Sequence, residues 1–117
     1  MSLINLKLLT TEFPQDVDAI NTLADLIRRR SGKPTELSLE RIIDIANPSS
    51  NFAISRLLQT LVTQGVFKKI IRLEINDSPV KDYDSLDQIP EIEHDYRNDI
   101  DVEVRPENLR IYYKLLA

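Results

Sequence analysis

At 117 residues, with 42% hydrophobic and 29% charged side chains, the chain is one domain's length, which excludes wholesale disorder and leaves room for a single core. The absence of cysteine excludes a disulfide framework, a thiolate zinc site and a cysteine nucleophile, and two glycines are too few for a glycine-rich phosphate loop. The net charge of −4 hides a segregation: residues 28–72 hold nine basic against three acidic side chains, and residues 73–107 hold three basic against twelve acidic.

Residues 4–8 alternate apolar and polar, the pattern of a short strand, although their leucines also fit the start of a helix. Pro14 suits a first helical turn, Asp16 and Asp18 place negative charge at its positive end, and Arg28, Arg29 and Arg30 place positive charge at the other. Val17, Ile20, Leu23, Ala24 and Ile27 supply the apolar stripe, so a first helix is predicted over about residues 15–30. Residues 31–34 stop it, and residues 35–37 predict a brief strand. Ser38 then caps a second helix in which Leu39, Ile42, Ile43 and Ala46 share a face. It ends at Asn47, because the residue before a proline avoids helical geometry.

The stretch from 49 to 76 organises the rest. Ser49 or Ser50 caps a third helix, and Ile54, Leu57, Leu58, Leu61 and Val62 give it a core-facing stripe. Gly65 falls where the chain turns with a positive φ. From Phe67 the period becomes two, with Phe67, Ile71, Leu73 and Ile75 on one side and Lys68, Arg72 and Glu74 on the other: a strand with one buried face.

Residues 77–99 read as a long acidic loop with Pro79 and Pro90 as breakers and one helical turn near residues 85–89. Residues 100–104 alternate, and are expected to pair antiparallel with residues 69–75, burying Ile100, Val102 and Val104 beside Ile71, Leu73 and Ile75. In the tail, Leu109, Tyr112, Tyr113 and Leu116 fit a helix, while Leu109, Ile111, Tyr113 and Leu115 fit a strand. Pro106 and Glu107 at the start, with Arg110 and Lys114 later, tip the reading to a helix; a strand would pair with the N-terminal one.

Ser38 and its helix, the turn at Asn47, Pro48 and Ser49, and Leu57, Leu58, Leu61, Val62, Gly65, Val66 and Phe67 leading into a ribbon make residues 16–76 resemble the winged helix-turn-helix superfamily. The expectation is an α+β fold, a winged-helix-like three-helix core with an antiparallel β-ribbon wing and an added C-terminal element. It forms a single domain over residues 1–117, with the core at about 14–105, a long acidic wing loop at 77–99 and the C-terminal element at 106–117. The superfamily's short glycine-containing wing is absent.

The polar face of the third helix carries Asn51, Ser55, Arg56, Gln59, Thr63 and Gln64. In a DNA-binding winged helix the corresponding face enters the major groove, so the resemblance makes Asn51, Ser55, Arg56 and Gln59 candidate base readers and Lys68, Lys69 and Arg72 candidate phosphate contacts. A solvated polar face explains the same residues, and dipole compensation explains Arg28, Arg29 and Arg30 without a ligand. The acid pairs Asp82 and Asp84, Glu91 and Glu93, and Asp99 and Asp101 match no calcium-loop spacing and read as a solvated loop. His94, the single histidine, lies between Glu93 and Asp95 with no nucleophile motif or metal-ligand spacing beside it. Tyr112, Tyr113 and Leu116 either close the core or form a contact for a partner.

The expected function is non-catalytic macromolecular binding, to a protein or a second copy of this chain. A DNA-binding regulator is the alternative, and an enzyme using the acidic loop a distant third. No catalytic, cofactor-binding or metal site, small-molecule substrate or membrane contact is expected. With no apolar run near the roughly 20 residues of a span and no basic-then-apolar N-terminus, the expected location is cytoplasmic.

Overall fold

The computed structural model describes residues 6–116, and its first element is already a departure. Leu6–Glu12 form a helix, α1, in place of the strand expected over residues 4–8, of which 4 and 5 lie outside the described residues. Burial decides it: Leu9 is 1% exposed, lodged among Ile20, Leu23, Ala24, Leu57 and Leu61, and a helix delivers that side chain while α1 packs on the next helix. A 3₁₀ turn over Pro14–Asp16 leads into α2, Val17–Arg30, which buries Ala19, Ile20, Leu23, Ala24 and Ile27 and leaves Val17 half in water. β1, Glu36–Ser38, gives way to α3, Leu39–Ala46, where the Ser38 hydroxyl accepts from the Arg41 N–H. Asn47 closes α3 in the left-handed region, φ 50°, its N–H bonded to the Ile43 carbonyl.

α4, Asn51–Thr63, is capped by Ser50, whose hydroxyl accepts from the Ala53 N–H. Its Ile54, Leu57, Leu58 and Leu61 are at most 2% exposed. Gly65, at φ 76°, turns the chain while the Val66 N–H reaches back to the Leu61 carbonyl, and β2, Phe67–Ile75, begins at once.

Beyond β2 the chain follows a different path from the expected one. Asn76 and Asp77, φ 52° and 63°, form a two-residue hairpin turn, and β3, Ser78–Tyr83, pairs antiparallel with β2. The register shifts between Leu73, opposite Lys81, and Glu74, opposite Pro79, so Val80 is the extra residue of a bulge. The 77–99 segment is therefore not a loop. It contains β3, a 3₁₀ turn over Leu86–Gln88 where a helical turn was expected, and β4, Ile92–Asp95. Nor does the 100–104 segment pair with β2: β5, Ile100–Glu103, pairs antiparallel with β4, opposing Ile92 to Glu103 and His94 to Asp101. The turn after β2 is too short to pass over, so the nearer strand takes the edge of β2. Val102 and Val104 still pack against Ile71, Leu73 and Tyr83, while Ile100 is 52% exposed.

The tail is a strand, not a helix. After a 3₁₀ turn at Pro106–Asn108, β6, Leu109–Leu115, joins a four-stranded sheet of order β1-β6-β2-β3. Its partners are β1 and β2, and the period of two prevails because sheet neighbours satisfy its backbone as Tyr113 and Leu115 become buried. The Leu115 N–H donates to the Thr35 carbonyl and the Leu116 N–H to the Val66 carbonyl.

The fold divides into two compact units: residues up to Lys68 with those from Tyr113 on, and Lys69–Tyr112. The first is mostly helical, the second mostly strand, and together they make an α+β protein with antiparallel strand pairs. Among the described residues no helix is long and apolar enough to cross a membrane.

Candidate functional site

Two surfaces carry the sequence candidates. On the helical unit, Asn51, Ser55, Arg56 and Gln59 all point into solvent from α4. The start of that helix is pinned from below: Asp16, 6% exposed, accepts from the Ser49 N–H at 2.7 Å and from its hydroxyl at 2.8 Å. Above this anchor lies an open cleft of about 480 Å³, flanked by Phe13, Phe52 and Arg56. Phe52 is 73% exposed, with the Arg56 guanidinium 5.9 Å from its ring centre. Arg56 also approaches Glu12 at 3.8 Å, so its charge is partly offset by a neighbouring carboxylate. Lys68 is exposed on the same unit.

Lys69 and Arg72 belong to the strand unit. Lys69 is exposed, but Arg72 is engaged within the ribbon: Nε meets Asp82 Oδ1 at 2.7 Å, Nη2 meets Oδ2 at 3.0 Å, and the guanidinium lies over the Tyr112 ring, 4.4 Å from its centre. Asp82 takes two of the five guanidinium donors and offsets its charge, so Arg72 offers a phosphate less attraction than a free arginine.

The tail candidates separate. Tyr112 donates to Glu74 Oε2 at 2.7 Å, which raises its hydroxyl pKa, and Arg110 approaches the same carboxylate at 3.4 Å. Tyr113 is 7% exposed and meets Phe67 edge-to-face at 6.0 Å, closing the helical unit's core. Of the two readings of Tyr113, closing the core or meeting a partner, the burial fits the first. Leu116 alone of the three stands well into solvent.

The surface that sequence reasoning missed is the β4–β5 hairpin. Its alternation places Glu93, Asp95, Ile100 and Val102 on one face and Ile92, His94, Asp101 and Glu103 on the other. On the inner face, Glu93 accepts from the Tyr83 hydroxyl at 2.6 Å and from the His94 N–H, with Lys81 at 3.5 Å. The Tyr83 bond is the main cause of a carboxyl pKa below the ordinary range. Burial, and then the Glu93 bond, push the Tyr83 hydroxyl far up. Asp95, 5% exposed, accepts from the Arg97 and Asn98 N–H groups and the Asn98 side-chain amide, which builds the tip and lowers its own pKa.

On the outer face both nitrogens of His94 meet carboxylates: Nδ1 lies 2.8 Å from Asp101 and Nε2 3.1 Å from Asp99. Tyr96 stands edge-on to the imidazole at 4.6 Å and is 85% exposed. The signal was available in the sequence: acid pairs at 91 and 93 and at 99 and 101 flank a turn of Tyr96, Arg97 and Asn98, which is hairpin spacing.

Among the described residues, no group of three or more metal-ligating side chains is placed to hold an ion. The unit from Lys69 to Tyr112 carries twelve carboxylates against six lysines and arginines, a net −6. No protein-family model, curated protein or solved structure matches the chain.

Proposed function

We propose that this chain is a non-catalytic, winged-helix-like binding module of the cytoplasm that docks onto another protein, or onto a second copy of itself, through the acidic β4–β5 region. Support for the winged-helix reading is the succession of a short helix, a left-handed turn at Asn47, a longer helix and a two-stranded ribbon. The wing's return strand is then β3 rather than the 100–104 segment.

The observation that carries the docking reading is the exposure of Ile92 and Tyr96, 62% and 85%, on the His94 face of the acidic hairpin, with Ile100, 52% exposed, on its other face. Large apolar side chains set among charges are the composition of a contact surface, with tyrosine favoured at its centre. The matching partner surface is apolar with a basic rim, because complementary charge steers encounter and fixes register. The engagement of Arg72 with Asp82 weakens the case for nucleic acid by offsetting the charge of one phosphate contact on the wing.

The open polar face of α4 supports the second reading, a DNA-binding regulator using Asn51, Ser55, Arg56 and Gln59 with Lys68 and Lys69. Fluorescence anisotropy with a mixed-sequence DNA duplex decides between them. Docking predicts no retained binding near physiological salt. Tight binding there that Arg56→Ala relaxes in base preference, and Lys69→Ala weakens generally, overturns it.

A further inference from the structure

The imidazole of His94 bridges two elements of its hairpin. Asp101 is its ladder partner on β5, and Asp99 sits in the tip at φ 53°, a left-handed conformation that aspartate adopts in tight turns at small cost. A neutral imidazole has one N–H and one lone pair, so it donates to one carboxylate while its lone pair confronts the other. Only the imidazolium donates to both. The surrounding charges agree in sign. Asp95, Asp99 and Asp101 all favour the cation. Glu103, farther along the same face, is paired with Arg105, and Arg97 belongs to the tip itself. Glu93, on the inner face, meets only the His94 backbone N–H and is engaged by Tyr83 and Lys81.

We propose that His94 is a proton-operated latch on the tip of the β4–β5 hairpin, in which the protonated ring ties Asp99 to Asp101 and seats Tyr96, and loss of the proton releases the tip. Asp99 is the arm that leaves: its contact is the longer of the two and its side chain is 93% exposed. Asp95 holds the other end of the tip from the inner face, so release is confined to residues 96–99. Tyr96 then loses the ring against which it stands. The consequence for binding rests on the docking reading, since Tyr96 is the most exposed aromatic of that surface, but the latch is a property of the free chain.

The test is a proton NMR titration of the free protein, in which a single histidine gives an unambiguous ring signal. The ring is expected to titrate with a midpoint above the ordinary 6.5, with the amide signals of residues 96–99 moving at the same midpoint and their hydrogen-exchange protection falling above it. Because the folded pKa is raised, the closed tip is complete below the unfolded value and is lost as pH rises through the folded one. Asp101→Asn and Asp99→Asn each lower the midpoint, and His94→Gln abolishes the coordinated amide shifts while the remaining spectrum stays folded. A midpoint at or below 6.5, or tip amides that ignore the titration of the ring, overturns the latch. Either result leaves the docking reading to its own test.

Discussion

Arg72 grips Asp82 with two nitrogens, at 2.7 and 3.0 Å, across adjacent strands of one ribbon, and the side chains differ in exposure, 15% for the arginine and 46% for the aspartate. A bidentate pair with a half-buried guanidinium and a stacked tyrosine is stronger than an ordinary surface ion pair. Arg72→Ala and Asp82→Ala are each expected to lower urea stability by about 1–2 kcal/mol, with a coupling energy in the double-mutant cycle of about 1 kcal/mol. Strict additivity of the two substitutions would contradict the arrangement.

Asp16→Ala is expected to be among the more costly polar substitutions. It removes the acceptor for both the N–H and the hydroxyl of Ser49 at a site only 6% exposed. Loss of two charge-assisted bonds corresponds to about 2–3 kcal/mol. Asp16→Asn, which keeps one acceptor oxygen, costs less. Equal stabilities for wild type and Asp16→Ala in chemical denaturation would show that the turn before α4 does not depend on this anchor.

Asp77→Gly acts in the opposite direction. Asn76 and Asp77 both occupy left-handed backbone, and glycine at the second position removes the Cβ clash without touching a partner. A gain of up to about 1 kcal/mol is expected, since the glycine's greater freedom when unfolded offsets part of the relief. A loss of stability on thermal or urea unfolding would mean that the aspartate side chain holds the turn.

Tyr83→Phe probes the inner face of β4. Removing the hydroxyl takes away the main cause of the depressed Glu93 pKa, which rises toward the ordinary carboxylate value. A lowered folded pKa contributes stability above the unfolded value, lost as pH falls through the folded one. The variant is therefore expected to be less stable by about 1–2 kcal/mol at neutral pH, and the gap to narrow in acid as Glu93 protonates. Carbon-detected titration of Glu93 checks it; an unchanged pKa in the variant would rule out the Tyr83 bond as its cause.

The helices from α2 to α4 were legible in the sequence because local signals and burial agree there: Ser38 and Ser50 do cap, α3 does stop at Asn47, Gly65 does turn left-handed, and the stripe from Ile54 to Leu61 faces the core. The strands were less legible where the deciding partner is distant. β6 has residues compatible with both periods, and only β1 and β2 at its sides select the strand. β3 was hidden by Pro79, which sits beside a bulge, and by a turn of asparagine and aspartate without the usual glycine. The candidate surface suffered most, because its acids looked like solvated charge until pairing brought His94 between Asp99 and Asp101.

Site-specific photocrosslinking tests the docking claim most directly, with a benzophenone amino acid placed at the exposed position of Tyr96 and, separately, at that of Gln59 on α4, in cells that make the protein. The account predicts a discrete protein adduct from position 96 that Ile92→Asp abolishes, and no nucleic-acid adduct from position 59. Nucleic acid captured from position 59, with nothing captured from position 96, would contradict it.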